Sequence, residues 1–96
     1  QSVISFIRKG KRADDFLVFV CNFTPAPRYN YRIGVPESGL YKEILNSDSS
    51  EYGGSNTGNA GGVSSEDISW NGKPYSISIT LPPLAVVVFK SDRLKN

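Results

Sequence analysis

The chain has 96 residues, which suits one domain and leaves little room for a second. Its net charge of +2 is too small for a nucleic-acid footprint, and no run of about 18 apolar residues is present to span a membrane. Histidine is absent and Cys21 is the only cysteine, which excludes the usual zinc ligand sets, histidine-containing catalytic triads and an internal disulfide. Methionine is also absent, so we expect that residue 1 is not a natural start.

The first half of the chain consists of short apolar runs with a period near two, broken by turn residues, and this pattern predicts β-strands. These runs lie, in chain order, at residues 3–9, 16–24, 29–35 and 40–46. In the second run apolar residues occupy both faces, which is typical of a central strand that is covered on both sides. In the third run Tyr29, Tyr31, Ile33 and Val35 share one face, which predicts a half-buried strand.

The segment from Leu45 to Gly62 holds five glycines and no basic residue. It lacks the Lys-Ser/Thr pair of a phosphate-binding P-loop. Its Asn and Asp residues are typical of shaped loops, because their side chains bond the nearby backbone in turns. The sequence therefore predicts a shaped loop that docks onto a partner, with Tyr52 as its only large anchor. The candidate docking residues are Asn46, Asp48, Tyr52, Asn56 and Asn59.

The last third of the chain predicts a strand at 63–70, a hairpin, and a nearly all-apolar final strand at 84–90. Asn71 and Gly72 between two alternating runs are a strong hairpin signal, because a type I′ turn needs positive φ at two residues. In the run after the turn, alternate residues are predicted to face the core or water: Tyr75, Ile77, Ile79 and Leu81 the core, and Ser76, Ser78 and Thr80 water. About seven short strands without a convincing helix predict an antiparallel β-sandwich.

Carboxylates are the remaining acid–base candidates, and none of them forms a convincing pair. Glu66 and Asp67 are neighbours that would point to opposite faces of a strand. Asp14 and Asp15 lie in a predicted turn, where aspartate is expected for backbone reasons. We therefore predict no catalytic residue, cofactor site or metal site in this chain.

Two aromatic residues beside the predicted hairpin leave two interpretations open. Trp70 and Tyr75 are candidates for an aromatic platform that stacks on a sugar ring. Equally, they are candidates for a cross-strand pair that stabilises the hairpin.

An ordered series of motifs, NFTP, YRIGVP, EILNSD and YGGSNTGN followed by SISITLPPLAVVVFK, closely resembles the C-terminal domain of bacterial 1,4-α-glucan branching enzymes. The resemblance covers nearly the whole chain. It implies a parent enzyme of the α-amylase superfamily, with a catalytic (β/α)₈ barrel and an N-terminal β-domain. Such an enzyme transfers α-1,4 glucan chains to form the α-1,6 branches of glycogen. Its catalytic carboxylates lie in the barrel, so none is carried over to this chain.

The resemblance sets the expectations for function. Residues 1–96 are expected to form a single non-catalytic C-terminal domain that packs on the catalytic barrel of the same chain, in the bacterial cytoplasm. We expect no cofactor, nucleic acid or membrane, and α-glucan is a candidate further partner. The alternatives are an autonomous carbohydrate-binding module and the terminal domain of another glucan-active superfamily member. A binding module should expose coplanar aromatics, whereas an accessory domain should show an apolar or Asn/Gly-rich docking patch.

Overall fold

The fold is an antiparallel β-sandwich, as the sequence predicts. The computed structural model describes residues 3–12, 15–48, 59 and 61–92, and no helix occurs in these ranges. The strands are β1 (Val3–Lys9), β2 (Phe16–Asn22), β3 (Arg28–Val35), β4 (Leu40–Asn46), β5 (Gly62–Ser64), β6 (Tyr75–Leu81) and β7 (Ala85–Asp92). The larger sheet has the order β1-β2-β7-β4-β5, and the smaller sheet pairs β3 with β6.

The hydrophobic core lies between the two sheets. Because side chains alternate along a strand, each sheet sends every second residue inward. The larger sheet contributes Phe16, Val18, Val20, Tyr41, Val87 and Phe89, and the smaller sheet contributes Ile33, Val35, Ile77, Ile79 and Leu81. Full burial of an apolar side chain stabilises the fold by about 1.5–3 kcal/mol, so this cluster supplies the main driving force for folding.

The predicted hairpin turn is confirmed. Asn71 and Gly72 have φ values of 52° and 75°, the positive values that a type I′ turn requires. The backbones of Trp70 and Lys73 exchange two hydrogen bonds of 2.9 and 3.0 Å across the turn. Asparagine and glycine are the residues that adopt this conformation at least cost.

Two predictions about strands are wrong. Residues 63–70 do not form one strand, because β5 ends at Ser64 and the chain then leaves the edge of the larger sheet for the smaller one. Tyr29 does not face the core and is 65% exposed. The register of β3 shifts between Arg28 and Tyr31, and Asn30 has a φ of 54°, which turns Tyr29 away from the core.

The alternation also predicts that Ser76 faces water, and this prediction is wrong, because the side chain is fully buried. Ser76 lies on the outer face of the smaller sheet, where the segment that follows β5 crosses over it. Arg32 donates to the Ser76 hydroxyl at 2.6 Å and forms an ion pair with Glu66 at 2.8 Å. A β-carbon on Gly34 would lie only 2.0 Å from the Trp70 carbonyl oxygen, so glycine is required for this close approach.

Candidate functional site

The outer face of the larger sheet is apolar and uncovered by the described residues. The strand registers place Phe6, Phe19, Val88 and Leu45 in one row across β1, β2, β7 and β4. A second row consists of Ile4, Cys21 and Val86. We call these seven residues the outer apolar face. The sequence predicts that β2 is covered on both sides, but within the described part of the chain only its inner side is covered.

Exposed apolar side chains on this face are unusual for an antiparallel sheet, because the solvent side of such a sheet is normally polar. Ile4 is 54% exposed, and Phe6 is 44% exposed while its ring stacks on Phe19 at a centroid distance of 5.0 Å. Val88 lies on the same face and is buried. A contiguous exposed apolar patch on a globular domain typically marks a surface that contacts a partner.

One end of the outer apolar face is flanked by Phe23 and Leu84, both of which are largely exposed. The segment that follows β2 and the segment that precedes β7 meet there through a hydrogen bond from the Leu84 backbone N–H to the Thr24 carbonyl oxygen at 3.0 Å. Leu84 has a φ of 51°, a left-handed conformation that costs a non-glycine residue about 1–2 kcal/mol. An exposed leucine in this conformation gains little within the chain itself, which supports a contact with something outside it.

The predicted docking loop is described only at its two ends, and Tyr52 and Asn56 lie outside the described residues. At the first end the buried Asn46 accepts a hydrogen bond from the Asp48 backbone N–H at 2.9 Å. Next to it, the Ser47 hydroxyl accepts a hydrogen bond from the Val86 backbone N–H at 2.9 Å. The side chain of Asn46 therefore shapes the start of the loop from inside the domain.

At the second end, Asn59 is buried and joins the two sheets. Its side-chain amide accepts from the Thr80 N–H at 2.7 Å and donates to the Thr80 carbonyl oxygen at 3.0 Å. The same amide donates to the Glu43 carboxylate at 2.8 Å. Asn59 thus pairs with the edge of β6 much as a residue of a neighbouring strand would. Asn46 and Asn59 anchor the loop to its own domain, and docking by the loop stays a prediction.

The structure places the two candidate platform residues on different sides of the smaller sheet. Tyr75 is half-buried and packs against the core. Trp70 lies on the outer side, is 46% exposed, and has the Arg32 guanidinium 6.0 Å from its ring centroid. They do not form one two-ring surface, and sugar binding at Trp70 alone stays a prediction.

Two carboxylates in the described ranges have partners within the fold. Glu66 pairs with Arg32, and Glu43 accepts from Asn59. Across residues 3–12, 15–48, 59 and 61–92, no group of three acidic or cysteine residues is arranged to hold a metal ion. The same ranges contain no helix long and apolar enough to cross a membrane.

Sequence reasoning identified the loop and the aromatic residues but missed the outer apolar face as a site. The signal was available in the alternate residues of β2, where Leu17, Phe19 and Cys21 are as apolar as the core positions between them. Among the described residues, the smaller sheet covers one side of β2 and no strand lies over the other side.

Comparison with known proteins shows where related sequences occur. The family described as "Alpha amylase, C-terminal all-beta domain" matches residues 1–92. A 1,4-alpha-glucan branching enzyme of Burkholderia thailandensis is 60% identical over 89 residues, which cover 93% of this chain and 11% of the relative. The corresponding enzymes of Trichormus variabilis (54% identical, 100% of this chain) and Aquifex aeolicus (51%, 96%) are covered over 13% and 15% of their own lengths. The chain therefore spans a small part of the curated relatives it matches.

Proposed function

The chain belongs to the family of alpha-amylase C-terminal all-beta domains, and we propose that it is the non-catalytic C-terminal domain of a bacterial 1,4-α-glucan branching enzyme. The longer relatives that it resembles at 51–60% identity support this assignment. In this proposal residues 1–96 form one domain, and glucan transfer in the bacterial cytoplasm is carried out by the rest of the full-length enzyme. All three relatives are named 1,4-alpha-glucan branching enzyme, and they therefore favour a branching enzyme over another glucan-active member of the superfamily.

The proposed role of the domain is to pack on and support the catalytic barrel of the same polypeptide. The observation that carries this proposal is the outer apolar face, with Ile4 and Phe6 about half exposed in the chain alone. Covering such side chains removes apolar area from water and contributes roughly 25 cal/mol per Å². Covalent linkage also keeps the partner at a high effective concentration, so a patch of modest size is sufficient for stable contact.

The experiment that tests this role compares Ile4→Ser with Ile68→Ser in the full-length enzyme. Both isoleucines are about half exposed in the chain, but Ile68 lies on the segment that crosses the smaller sheet, on the opposite side. We expect Ile4→Ser to weaken the domain contact by about 1–3 kcal/mol, as a truncated interface residue does. Ile68→Ser should change stability by less than about 0.5 kcal/mol.

Urea unfolding of the full-length enzyme and of the isolated domain provides the measurement. The loss from Ile4→Ser should be seen in the full-length enzyme and be small in the isolated domain, since only the former has the partner surface. Equal effects of Ile4→Ser and Ile68→Ser in the full-length enzyme would show that the outer apolar face is not the contact.

We further propose that Trp70 contacts α-glucan, as the carbohydrate-binding alternative requires. Trp70 lies on the smaller sheet, so it stays accessible when the outer apolar face is covered. The Arg32 guanidinium lies over its flat ring and the side chain is about half exposed, so apolar ring surface is available to a sugar ring.

Affinity electrophoresis of the full-length enzyme in gels containing glycogen tests this contact. Trp70→Ala should weaken retention by about 3- to 10-fold, which corresponds to the loss of one stacking contact. Tyr29→Ala is the matched control, because Tyr29 is also an exposed aromatic residue. Equal retention of the two variants would rule out a specific role for Trp70.

A further inference from the structure

We propose that the surface covering the outer apolar face carries carboxylates along one border, where they meet a row of basic side chains on this chain. The inference rests on the proposed function, because it describes the chemistry of the same partner, the catalytic domain. It predicts the charge of the surface of that domain that lies against the larger sheet.

The basic row consists of Arg8 on β1, Lys90 on β7 and Lys42 on β4. Arg8 lies opposite Leu17, Leu17 lies opposite Lys90, and Lys90 lies opposite Lys42. Arg8 is two positions from Phe6 on β1 and Lys90 two positions from Val88 on β7, so both point to the side of the outer apolar face. Lys42 lies directly opposite Lys90 and therefore points to the same side. The basic row therefore borders the outer apolar face directly. The three cations are all exposed in the chain alone.

The charges of the basic row lie close to one another, and Lys42 has a further interaction within the chain. Lys42 and Lys90 are directly opposite each other, and like charges at such a cross-strand pair destabilise a sheet. No carboxylate in the described ranges forms an ion pair with Arg8 or Lys90, and the ion pair of Arg32 with Glu66 lies at the other sheet. A row of like charges is favourable when an anionic surface lies against it.

The position of the row indicates why the anions belong to the partner protein. A groove of ≈ 380 Å³ is lined by three cations and a single carboxylate together with apolar side chains: Arg8, Lys9 and Lys90, Asp15, and Leu17, Phe16 and Phe19. The cations of this groove therefore outnumber the one carboxylate that the chain itself places there. A partner that covers Phe19 also desolvates the neighbouring cations, and a desolvated cation without a counter-charge is strongly unfavourable. Carboxylates on the same partner surface supply that counter-charge, and the aliphatic stems of Arg8 and Lys90 extend the apolar contact.

The test uses the full-length enzyme and measures how fast a protease cuts the connection between the catalytic domain and this domain. At about 50 mM NaCl we expect Lys90→Glu to increase the cleavage rate about tenfold, because it places like charges against each other. At about 1 M NaCl the screening length falls to about 3 Å, and the effect should shrink to about twofold or less. Lys73→Glu, on the hairpin of the smaller sheet, is the matched control and should stay within about twofold at both salt concentrations.

The outcomes separate this inference from the proposed function. If Ile4→Ser accelerates cleavage and Lys90→Glu does not, the docking face stands and the carboxylate border is overturned. If neither variant accelerates cleavage, the docking face itself is wrong. An effect of Lys90→Glu that is the same at both salt concentrations overturns the electrostatic explanation. A fourth outcome is that added inorganic phosphate slows cleavage of the wild-type enzyme and leaves cleavage of Lys90→Glu unchanged. That result would show that the basic row binds a free anion, and it would overturn the inference.

Discussion

Replacing Asn59 with alanine is expected to lower the free energy of unfolding of this chain by about 2–4 kcal/mol. The Asn59 amide makes two hydrogen bonds to the Thr80 backbone and one to the Glu43 carboxylate, and its side chain is buried. Alanine leaves these polar groups without that partner. A buried donor or acceptor that loses its partner costs about 1–3 kcal/mol, and more when the group is charged.

Urea unfolding of the isolated domain measures this loss, and two variants serve as controls. Asn59→Asp keeps an acceptor for the Thr80 N–H but places a second carboxylate beside Glu43, so it should destabilise the domain at neutral pH as well. Ser69→Ala, on an exposed part of the chain, should change stability by less than about 0.5 kcal/mol. If Asn59→Ala behaves like Ser69→Ala, then Asn59 does not join the two sheets in solution.

The sequence predicts the fold class well because its strongest local signals are also the ones the fold uses. The short apolar runs that predict β1, β2, β3, β4 and β6 agree with the observed strands, and the turn at Asn71 and Gly72 agrees in its backbone conformation. These signals depend on residues that are close together in the chain, where steric preferences act directly. Agreement of local preference with the global fold is what allows such a prediction to succeed.

The features that sequence reasoning missed depend on contacts between distant parts of the chain. Ser76 is buried because Arg32, 44 residues away, donates to it and a separate segment crosses above it. Asn59 has the composition of a loop residue, but its amide bonds to Thr80, which is 21 residues further along. A pattern of apolar residues indicates that a strand face is buried, but it does not identify what covers that face. For that reason the apolar residues on the second side of β2 predict a cover there, but they do not predict that the described residues leave this side uncovered.

The largest single loss of stability is expected for Tyr41→Ala, about 3–5 kcal/mol, as for other large-to-small substitutions of buried aromatic residues. The Tyr41 side chain is fully buried, and its ring lies 6.1 Å from that of Phe16, between centroids, at an angle of 54°. Its hydroxyl donates to the Glu37 carbonyl oxygen at 2.7 Å. Since a domain of this size is stable by about 5–15 kcal/mol in total, such a loss leaves the domain close to unfolding.

The companion variant Tyr41→Phe separates ring packing from the hydroxyl bond. It keeps the ring in the core and removes only the donor to Glu37, so the expected loss is about 0.5–1.5 kcal/mol. Urea unfolding of the isolated domain, followed by the fluorescence of its single tryptophan, Trp70, measures both variants. A loss for Tyr41→Phe as large as that for Tyr41→Ala would show that the hydroxyl bond, rather than packing of the ring between the sheets, is the contribution that stabilises the sandwich. A loss for Tyr41→Ala below about 1.5 kcal/mol would contradict the placement of Tyr41 in the core, because even partial relaxation around the cavity leaves a larger penalty.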